Sequence, residues 1–443
     1  MPGISRKVAL AAAASVALLA TACTGQSGSG ASDDPSEDTT LNFWHAWSAP
    51  AEVKAVKSLV AGFEKAHPTI HVNVVGNMTD DKMNQALRTG GDKAPDVISS
   101  FTTNNVGKFC SSGALVDLNP LFEKSGIDPA KTFPKAMSEY TEFEGNRCSV
   151  PLLGDAYGLY YNKTAFEKAG ITTPPKTWSE FEADAKKLTI SDGDSYKQLG
   201  FMPNYHGWET TTEHYLGQFS PTYFDSSGKS TIATDPAVEA GFTLQKKLVD
   251  ELGGYQRLEK YRSTLGDEWG PKHPFHTGQV AMQLDGEWRL GMALDAKPDF
   301  EIGVAPLPVP DDQADQYGKG YITGTIAGIA ATSKKQNAAW ELVKYMTTDT
   351  AAVVAFSNAI HNVPSTLAAL KSPDLKYDPR FKTFLDIAAN PNSTTSPASV
   401  NGGVYLATIQ NFGYEYESGK AKDLKAGLAS TAKQIDTDIA QAK

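Results

Sequence analysis

Five carboxylate residues stand close to aromatic residues in the sequence, and this pairing could serve two kinds of sugar chemistry. They are Asp155, Glu209, Glu213, Asp285 and Glu287. A glycoside hydrolase uses two carboxyl groups at a defined separation to cleave a glycosidic bond. Carboxylates beside aromatic rings also bind sugars without cleaving them, because they accept hydrogen bonds from hydroxyl groups while the rings cover the C–H faces. The sequence gives no distance between these acids, so hydrolysis and binding both stay open at this point.

Other reactive motifs are absent from the sequence. It contains no HExxH zinc motif, no GxxxxGK[ST] phosphate loop, no GxGxxG after a strand and no GxSxG nucleophile elbow. His273 and His276 are three residues apart, but Pro274 lies between them and no third ligand stands nearby. We therefore predict no cofactor, no metal site and no catalytic residue, and the sequence favours a binding protein over an enzyme.

The composition is that of a globular chain with more than one domain. The chain has 443 residues, of which 40% are apolar and 21% are charged, and this length suits two to three domains. Its 41 Lys and Arg residues stand against 51 Asp and Glu residues, for a net charge of −10, and no run of five basic residues occurs. Binding to a phosphate backbone needs clustered cations, so we predict no nucleic-acid partner.

The amino terminus has the pattern of an export signal. A basic pair is followed by an uncharged apolar segment, residues 8–22, which is shorter than the roughly 20 residues that span a bilayer. Residues 19–23 (LATAC) resemble a bacterial lipoprotein signal, although Ala20 stands where that signal prefers Leu. We predict a signal peptide at residues 1–22 and a lipid on Cys23. A plain secretory leader is the alternative.

The segment that follows is predicted to be a flexible tether. Residues 23–40 lack large apolar side chains and are rich in Gly, Ser, Thr and Asp. We expect this tether to hold an exported protein at the outer face of the cytoplasmic membrane, in the extracellular or periplasmic space. In that oxidising compartment Cys110 and Cys148 are candidates for a disulfide, whereas two buried free thiols are the alternative.

Apolar patterns in the rest of the chain alternate between strand and helix periods. The strand candidates are residues 41–45, 70–75, 95–98, 157–161, 199–202, 280–284, 300–304 and 321–331. Helices are predicted between the first three strands and at about 163–170, 178–189, 335–347, 349–357 and 421–442. Trp178 and Trp340 fall at helix positions that usually pack in a core. Strands separated by helices form βαβ units, so we predict an α/β fold with two mostly parallel sheets flanked by helices.

Seven short stretches carry a family pattern. They are LNFWH at 41–45, APDVI at 94–98, GLYYNK at 158–163, PPKTW at 174–178, GQVAM at 278–282, GEW at 286–288 and NAAWELVKYM at 337–346. In this order and spacing, the chain resembles the extracellular solute-binding proteins of bacterial ABC transporters, in the carbohydrate-binding group of maltose-binding-protein-like lipoproteins. The likeness extends over nearly all of the chain that follows the tether.

The resemblance implies a two-lobed periplasmic-binding-protein fold of type II, with discontinuous lobes joined by hinge crossovers. The first lobe would take residues 41–153 and 319–364, and the second would take residues 154–318 and 365–443. It further implies a receptor without enzyme activity, which holds a sugar, an oligosaccharide above all, between the lobes and delivers it to an ABC permease. We expect a monomer that touches the membrane through its lipid anchor only.

Twelve residues are predicted to contact the ligand. Four follow the first and third strands, because ligands of α/β sheets gather at the carboxyl ends of strands. The resemblance implies Asp155 as a sugar-binding carboxylate, Trp288 as a stacking ring and Gly324 as part of the hinge. Trp269 is chosen for its Asp-Glu-Trp-Gly setting, and Tyr405 for a late loop that reaches toward the cleft. The full set is His45, Trp47, Ser100, Thr102, Asp155, Tyr157, Tyr205, Trp208, Trp269, Trp288, Gly324 and Tyr405.

Two other ligand or reaction classes remain as alternatives. The Phe-Trp-His start also resembles glycerol-phosphate binders, in which a histidine such as His45 assists an anionic ligand. Glycerol 3-phosphate or a glycerophosphodiester is thus an alternative ligand. No cluster of arginines that could hold its phosphate is evident in the sequence, and Arg289 and Arg380 are the two individual candidates. A secreted glycoside hydrolase that uses two of the five acids is the alternative from another class.

Overall fold

The computed structural model describes residues 34–203 and 211–442 of the chain. The predicted signal peptide, Cys23 and most of the predicted tether lie outside these residues, as do Tyr205 and Trp208 of the predicted site. Within the described residues, no helix combines the length and the apolar character that crossing a membrane requires.

Strands and helices alternate along much of the described chain. The strands β1 to β10 are Thr39–His45, Ile70–Val75, Val97–Ser100, Val150–Asn162, Ile190–Asp192, Ser195–Phe201, Val280–Gly286, Ile302–Ala305, Ile322–Ile329 and Val363–Pro364. The helices α1 to α17 are Pro50–Ala66, Asp80–Thr89, Val106–Ser111, Asn119–Lys124, Pro129–Thr132, Lys135–Glu139, Lys163–Lys168, Trp178–Leu188, Thr212–Phe219, Pro236–Glu251, Tyr255–Arg262, Trp288–Ala296, Gln336–Thr348, Thr350–Ile360, Lys382–Ala389, Val404–Glu417 and Leu424–Ala442.

The local sequence explains why α1 forms and which face it buries. Pro50 occupies its first position, where the missing N–H costs nothing, and Pro68 follows shortly after its end. Val56, Val60 and Phe63 recur at helical spacing and are buried in one core with strand β1. The same pattern of a capped start and an apolar stripe forms α8, whose preceding threonine and third residue make a capping box.

The strands form two connected sheets. In the first sheet the order is β2-β1-β3-β9-β4, and β10 also pairs with β4. There β1 is parallel to β2 and β3, whereas β9 is antiparallel to β3 and to the first part of β4. In the second sheet the later part of β4 is antiparallel to β7 and β8, while β6 is parallel to β7 and antiparallel to β5. The predicted strands are thus found, and the first three pair in parallel as predicted.

Strand β4 is one continuous run of 13 residues that belongs to both sheets. Its residues from Val150 to Ala156 pair with β9, and its residues from Tyr157 to Tyr161 pair with β7. The parallel pairing predicted for helix-linked strands is accompanied by antiparallel pairs, because β4 and β9 run against their neighbours where the sheets join. The sequence pattern indicated only the second half of β4, since its first half is an apolar run with no alternation.

The backbones of β4 and β9 approach each other closely where the two sheets meet. A Cβ atom on Gly324 would lie 2.3 Å from the carbonyl oxygen of Leu153 and 2.6 Å from the Oη of Tyr140. Gly154 stands directly opposite Gly324 in the register of these strands. The predicted hinge residue Gly324 is therefore a position where any side chain would collide with the neighbouring strand.

The two tryptophans that the sequence places at helix core positions are buried there. Trp340 in α13 is 4% exposed, its Nε1 donates to the Oγ of Ser125 at 2.8 Å, and its ring meets Phe122 edge-on. Trp178 at the start of α8 is 6% exposed and meets the ring of Phe181. Both rings are parts of cores beneath a sheet, so their exclusion from the predicted site agrees with the structure.

A disulfide joins Cys110 in α3 to Cys148, which stands shortly before β4, with 5.4 Å between the two Cα atoms. Both cysteines are buried in the same apolar core. The bond therefore ties a helix that follows β3 to the strand shared by both sheets.

Reduction of this disulfide is expected to lower the free energy of unfolding by about 4 kcal/mol, because the bond restricts an unfolded loop. The two cysteines are 38 positions apart in the sequence. Urea unfolding with and without reductant measures the effect. The double variant Cys110→Ser/Cys148→Ser is the control, since its midpoint should not respond to reductant. Two titratable thiols in the exported protein, denatured without reductant, would contradict the prediction.

Candidate ligand-binding site

Asp155 lies in the middle of β4, at the point where this strand passes from the first sheet to the second. It stands opposite Thr323 of β9, and its Oδ1 accepts a hydrogen bond of 2.9 Å from the Nδ2 of Asn362. Burial raises the pKa of Asp155 to about 7, because the charged form loses hydration. The side chain keeps a partly exposed surface, so it can still accept a hydrogen bond from a solute hydroxyl.

Aromatic rings stand on the second-sheet side of Asp155. Tyr157 follows two residues later and so lies on the same face of β4. Its ring stacks on His214 of α9 with 4.0 Å between centroids and meets Trp288 edge-on at 5.8 Å. The Oη of Tyr157 lies 3.3 Å from the Oγ1 of Thr323. The structure thus brings three of the predicted residues, Asp155, Tyr157 and Trp288, into one neighbourhood.

Gly286, two positions before Trp288, leaves room for the Trp288 ring. A Cβ atom on Gly286 would lie 2.3 Å from the Trp288 ring, so only glycine lets this ring lie against the end of β7. Its Nε1 is buried and has no hydrogen-bond partner among the described residues. The residue remains partly exposed, so its ring offers an apolar face of the kind that suits a sugar.

A second carboxyl group lies further along the same surface. The Oη of Tyr321 lies 2.7 Å from the Oγ of Ser396 and donates to the Oε2 of Glu213 at 3.4 Å. Burial raises the pKa of Glu213 to about 7. Tyr321 also lies near the Tyr157 ring, at 5.8 Å between centroids. The sequence singled out Glu213 as an acid near aromatic residues but gave no signal for Tyr321 or His214, which are isolated in the sequence.

Two of the residues predicted after the first strand belong to the core. His45 is fully buried at the end of β1, with its ring 5.7 Å from that of Phe43 and 5.6 Å from that of Trp47. Burial lowers the pKa of His45 to about 4, so the imidazole is neutral at pH 7. Trp47 is 3% exposed and packs on Phe356. Both side chains are buried in this conformation, because the face of β1 that ends in His45 packs toward the helices. Contact of His45 and Trp47 with the ligand stays a prediction.

Ser100 and Thr102, predicted after the third strand, have different surroundings. Ser100 is fully buried, and its Oγ donates to the Oδ1 of Asp80 at 2.7 Å and accepts from the Thr102 amide. Asn105 donates to the other oxygen of Asp80. Ser100 therefore stabilises the loop after β3 and is buried in this conformation, and its contact with a ligand stays a prediction. Thr102 is partly exposed, and its contact with a ligand stays a prediction.

Tyr405 does not lie in a loop. It stands in the first turn of α16, it is 2% exposed, and its Oη donates to the carbonyl oxygen of Pro397 at 2.8 Å. Its ring meets those of Tyr223 and Phe224 within a core of the C-terminal helices. The predicted loop is instead a helix, and its apolar sequence buries the Tyr405 ring. Contact of Tyr405 with a ligand stays a prediction.

Trp269 lies on the surface, where it is 48% exposed. It borders a small cavity of about 250 Å³ together with His276, Met292 and Asp295 of the neighbouring chain segments. The guanidinium of Arg289 lies 5.7 Å from its ring centroid. Among the described residues, the Trp269 ring has no ring contact with Tyr157 or Trp288. Its role in the site stays a prediction.

The two arginines considered for a phosphate group are already engaged. The Nε of Arg289 lies 2.6 Å from the Oδ2 of Asp285, and both side chains are buried. Arg380 forms an ion pair with Asp378 at 2.8 Å. Each guanidinium is thus bound to an aspartate other than Asp155.

Among residues 34–203 and 211–442, no group of His, Cys, Asp and Glu side chains is arranged to hold a metal ion.

A cavity of about 610 Å³ lies elsewhere, between residues 139–144 and the loops at 221–228 and 395–400. Tyr223, Phe224 and Pro397 line it, which places it beside the core that contains Tyr405. None of the ten predicted contact residues that the structure describes lines it. The predicted sugar-binding groups that meet in the structure therefore lie around Asp155 and not at this cavity.

Sequence comparison relates the chain to proteins that bind solutes. A maltotriose-binding protein of Pyrococcus abyssi is 24% identical over 339 residues, which are 76% of this chain and 68% of the relative. The sn-glycerol-3-phosphate-binding periplasmic protein UgpB of Brucella abortus is 23% identical over 418 residues, 91% of this chain and 94% of the relative. A putative binding protein of Brucella abortus is 28% identical over 206 residues, and there the chain spans 47% of the relative.

Solved structures share the fold. The sugar-binding protein MalE of Xanthomonas citri matches with a TM-score of 0.75 at 22% identity, over 91% of this chain and 98% of that one. A protein named CpMnBP1, with mannotriose bound, matches with a TM-score of 0.73 at 23% identity, over 91% and 100%. The predicted two-lobed α/β fold is thereby confirmed. The family model of the bacterial extracellular solute-binding proteins matches residues 47–353, more than half of the chain, and the chain belongs to this family.

Proposed function

We propose that this protein is the extracytoplasmic receptor of an ABC importer and binds an oligosaccharide at the surface around Asp155. The arrangement of Asp155, Tyr157 and Trp288 carries the proposal. It combines a partly exposed carboxylate with aromatic rings, which are the groups that recognise the hydroxyls and the C–H faces of a sugar. Relatives and structures that bind maltotriose or mannotriose support the same ligand class.

The proposed cycle is one of binding and delivery without bond cleavage. The ligand binds between two lobes, residues 41–153 with 319–364 and residues 154–318 with 365–443, and closure presents it to the permease. The passage of β4 from one sheet to the other near Asp155 supports this division, because it places the proposed contact at a crossover. The receptor acts as a monomer.

The proposed location is the outer face of the cytoplasmic membrane. The family consists of extracellular proteins, and the lipoprotein-like sequence before Cys23 supports cleavage after residue 22 and lipidation of the new amino terminus. Residues 23–40 then form the tether. Mass spectrometry of the mature amino terminus tests this part, since a diacylglycerol adduct on Cys23 supports it and an unmodified or uncleaved terminus contradicts it.

A ligand panel tests the proposed class. Maltotriose, mannotriose and larger oligosaccharides are added separately, and both the melting temperature and the heat of binding are recorded. A receptor shows a rise in melting temperature that follows the ligand concentration, with no new reducing ends after prolonged incubation. Release of reducing ends would instead indicate a glycoside hydrolase, and no response to any sugar would contradict the proposed ligand class.

Glycerol 3-phosphate is the second candidate ligand, because the relative UgpB aligns over 94% of its own length. The site favours an uncharged ligand. Arg289 and Arg380 are paired with aspartates, and His45 is neutral and buried, so no cation is free beside Asp155 among these three residues. Glycerol 3-phosphate therefore belongs in the panel, and its binding in preference to the sugars would replace the proposal with this candidate.

Replacement of Trp288 by alanine is expected to weaken sugar binding by about 1–3 kcal/mol, because a buried aromatic face contributes that much. Isothermal titration calorimetry with the best sugar of the panel measures the change. Trp288→Phe is the matched control, since it keeps an aromatic ring at this position and should lose less affinity. An unchanged dissociation constant in Trp288→Ala would remove this residue from the site.

A further inference from the structure

Glu287 is a fully buried acid that links separate segments of the chain. It stands between β7 and α12 and is 0% exposed. Its Oε2 accepts a hydrogen bond of 2.9 Å from the backbone N–H of Ala156 in β4, and its Oε1 accepts one of 2.7 Å from the Nδ2 of Asn362. One carboxylate thus holds the end of β7 to the shared strand and to the segment after α14.

Asn362 is brought to this point by a sharp turn of the chain. The helix α14 ends at Ile360, and the next residue, His361, adopts a left-handed conformation with φ of 63°. The carbonyl oxygen of Asn362 then accepts a hydrogen bond of 2.7 Å from the Oη of Tyr377. The backbone and the side chain of Asn362 are therefore both fixed by partners.

The amide of Asn362 joins the two acids. Its Nδ2 carries two hydrogens, and it donates to Asp155 at 2.9 Å and to Glu287 at 2.7 Å. Because these hydrogens lie in the plane of the amide, two fixed acceptors determine the orientation of that plane. The position of the Asp155 Oδ1 is then tied to the position of the Glu287 carboxylate.

The electrostatics of the two acids are linked as well. Burial, followed by the nearby Asp155 carboxylate, raises the pKa of Glu287 well above its usual value. Burial also raises the pKa of Asp155 to about 7. The pair therefore holds at least part of a proton near neutral pH, and its charge is a property of both residues together.

We propose that Glu287 is a positioning residue for Asp155: through the Asn362 amide and the Ala156 N–H, it fixes the direction in which the Asp155 carboxylate faces a ligand. This inference rests on the proposed function, in which Asp155 contacts the sugar. It assigns Glu287 a part in recognition, although this residue has no exposed surface of its own.

The affinity arm of the test uses maltotriose and mannotriose as probes. Glu287→Ala is expected to weaken binding about tenfold, since Asp155 loses the constraint that a hydrogen-bond network supplies. Glu287→Gln keeps the shape and one acceptor oxygen and should lose less. The double variant Glu287→Ala/Asn362→Ala should bind no more weakly than the weaker single variant, because both changes break the same connection. Glu123 is exposed on α4. Glu123→Gln removes one negative charge there and is the control for the change in net charge, so it should leave sugar affinity unchanged.

The second arm needs no ligand. In nuclear magnetic resonance spectra, the two side-chain amide protons of Asn362 are identified by their absence in Asn362→Ala. One of them should shift upfield in Glu287→Ala, and the other should shift upfield in Asp155→Ala, because each proton is hydrogen-bonded to one of the two acids.

The two arms separate failure of this inference from failure of the proposed function. Absence of the two amide shifts, or additive losses in the double variant, would overturn the positioning role. If neither sugar binds the unchanged protein while the two amide shifts occur, the proposed ligand class fails and the link between Glu287 and Asp155 stands.

Discussion

Asp155→Ala is expected to weaken sugar binding about 10–150-fold, which corresponds to the 1.5–3 kcal/mol that a hydrogen bond to a charged group contributes. The reason is the position of Asp155, which keeps a partly exposed surface beside Tyr157 while the Nδ2 of Asn362 holds its Oδ1. Isothermal titration calorimetry at pH 8, where Asp155 is mostly ionised, measures the loss. An affinity equal to that of the unchanged protein would move the ligand away from this part of β4.

The pH dependence supplies a second readout for the same residue. The pKa of Asp155 is raised from 3.8 to about 7, so the ionised acceptor is lost as the pH falls through about 7 and sugar binding should weaken there. The variant Asp155→Asn should lose this step in affinity between pH 6 and pH 8.

The raised pKa of Asp155 also predicts how the free energy of unfolding depends on pH. A folded pKa above the unfolded value of 3.8 means that the protonated form stabilises the folded state, and this contribution is present below pH of about 4 and is lost as the pH rises through about 7. Asp155→Asn should therefore gain stability relative to the unchanged protein as the pH is raised from 5 to 8. A stability difference that does not change with pH would show that burial does not perturb Asp155.

The largest effect on stability is expected for Trp340→Ala, at about 3–5 kcal/mol, the cost of emptying a buried tryptophan site. Trp340 is 4% exposed, and its replacement also leaves the Oγ of Ser125 without the indole donor at 2.8 Å. Urea unfolding measures the loss. At low temperature the folded variant should bind sugar with unchanged affinity, because Trp340 lies in the core and not near Asp155.

Trp269→Ala is the matched control for that experiment. This tryptophan is 48% exposed, so its removal should change the free energy of unfolding by well under the loss seen for Trp340. Equal losses in the two variants would contradict the assignment of Trp340 to the core and of Trp269 to the surface.

The elements with local signals are those that the sequence predicts best. Strand β1, helix α1 and strand β2 follow from alternating and helical apolar patterns bounded by prolines. The antiparallel pairing of β4 with β9 is not local, since these strands are about 170 positions apart in register. Only their meeting in space creates the close approach at Gly324, which leaves no pattern among neighbouring residues.

The site shows the same division. Trp288 lies in a stretch with the family pattern, the resemblance implies Asp155, and Tyr157 lies between them in the structure. His45 and Ser100 stand at the predicted strand ends, but the position in the chain does not reveal which face a side chain takes, and the buried face of β1 includes His45. Tyr321 and His214 have no sequence signal because their role depends on ring contacts with residues far away in the chain.

The continuous strand β4 has a consequence for how affinity and motion are related in this receptor. A point near a pivot is displaced little when a body rotates, whereas distant points travel far. Asp155 lies where β4 changes sheets, so in the proposed closure its carboxylate keeps nearly the same place in the open and closed forms. In the proposed cycle, a sugar would therefore dock on Asp155 before closure, and contacts remote from β4 would decide how much the bound sugar favours the closed form.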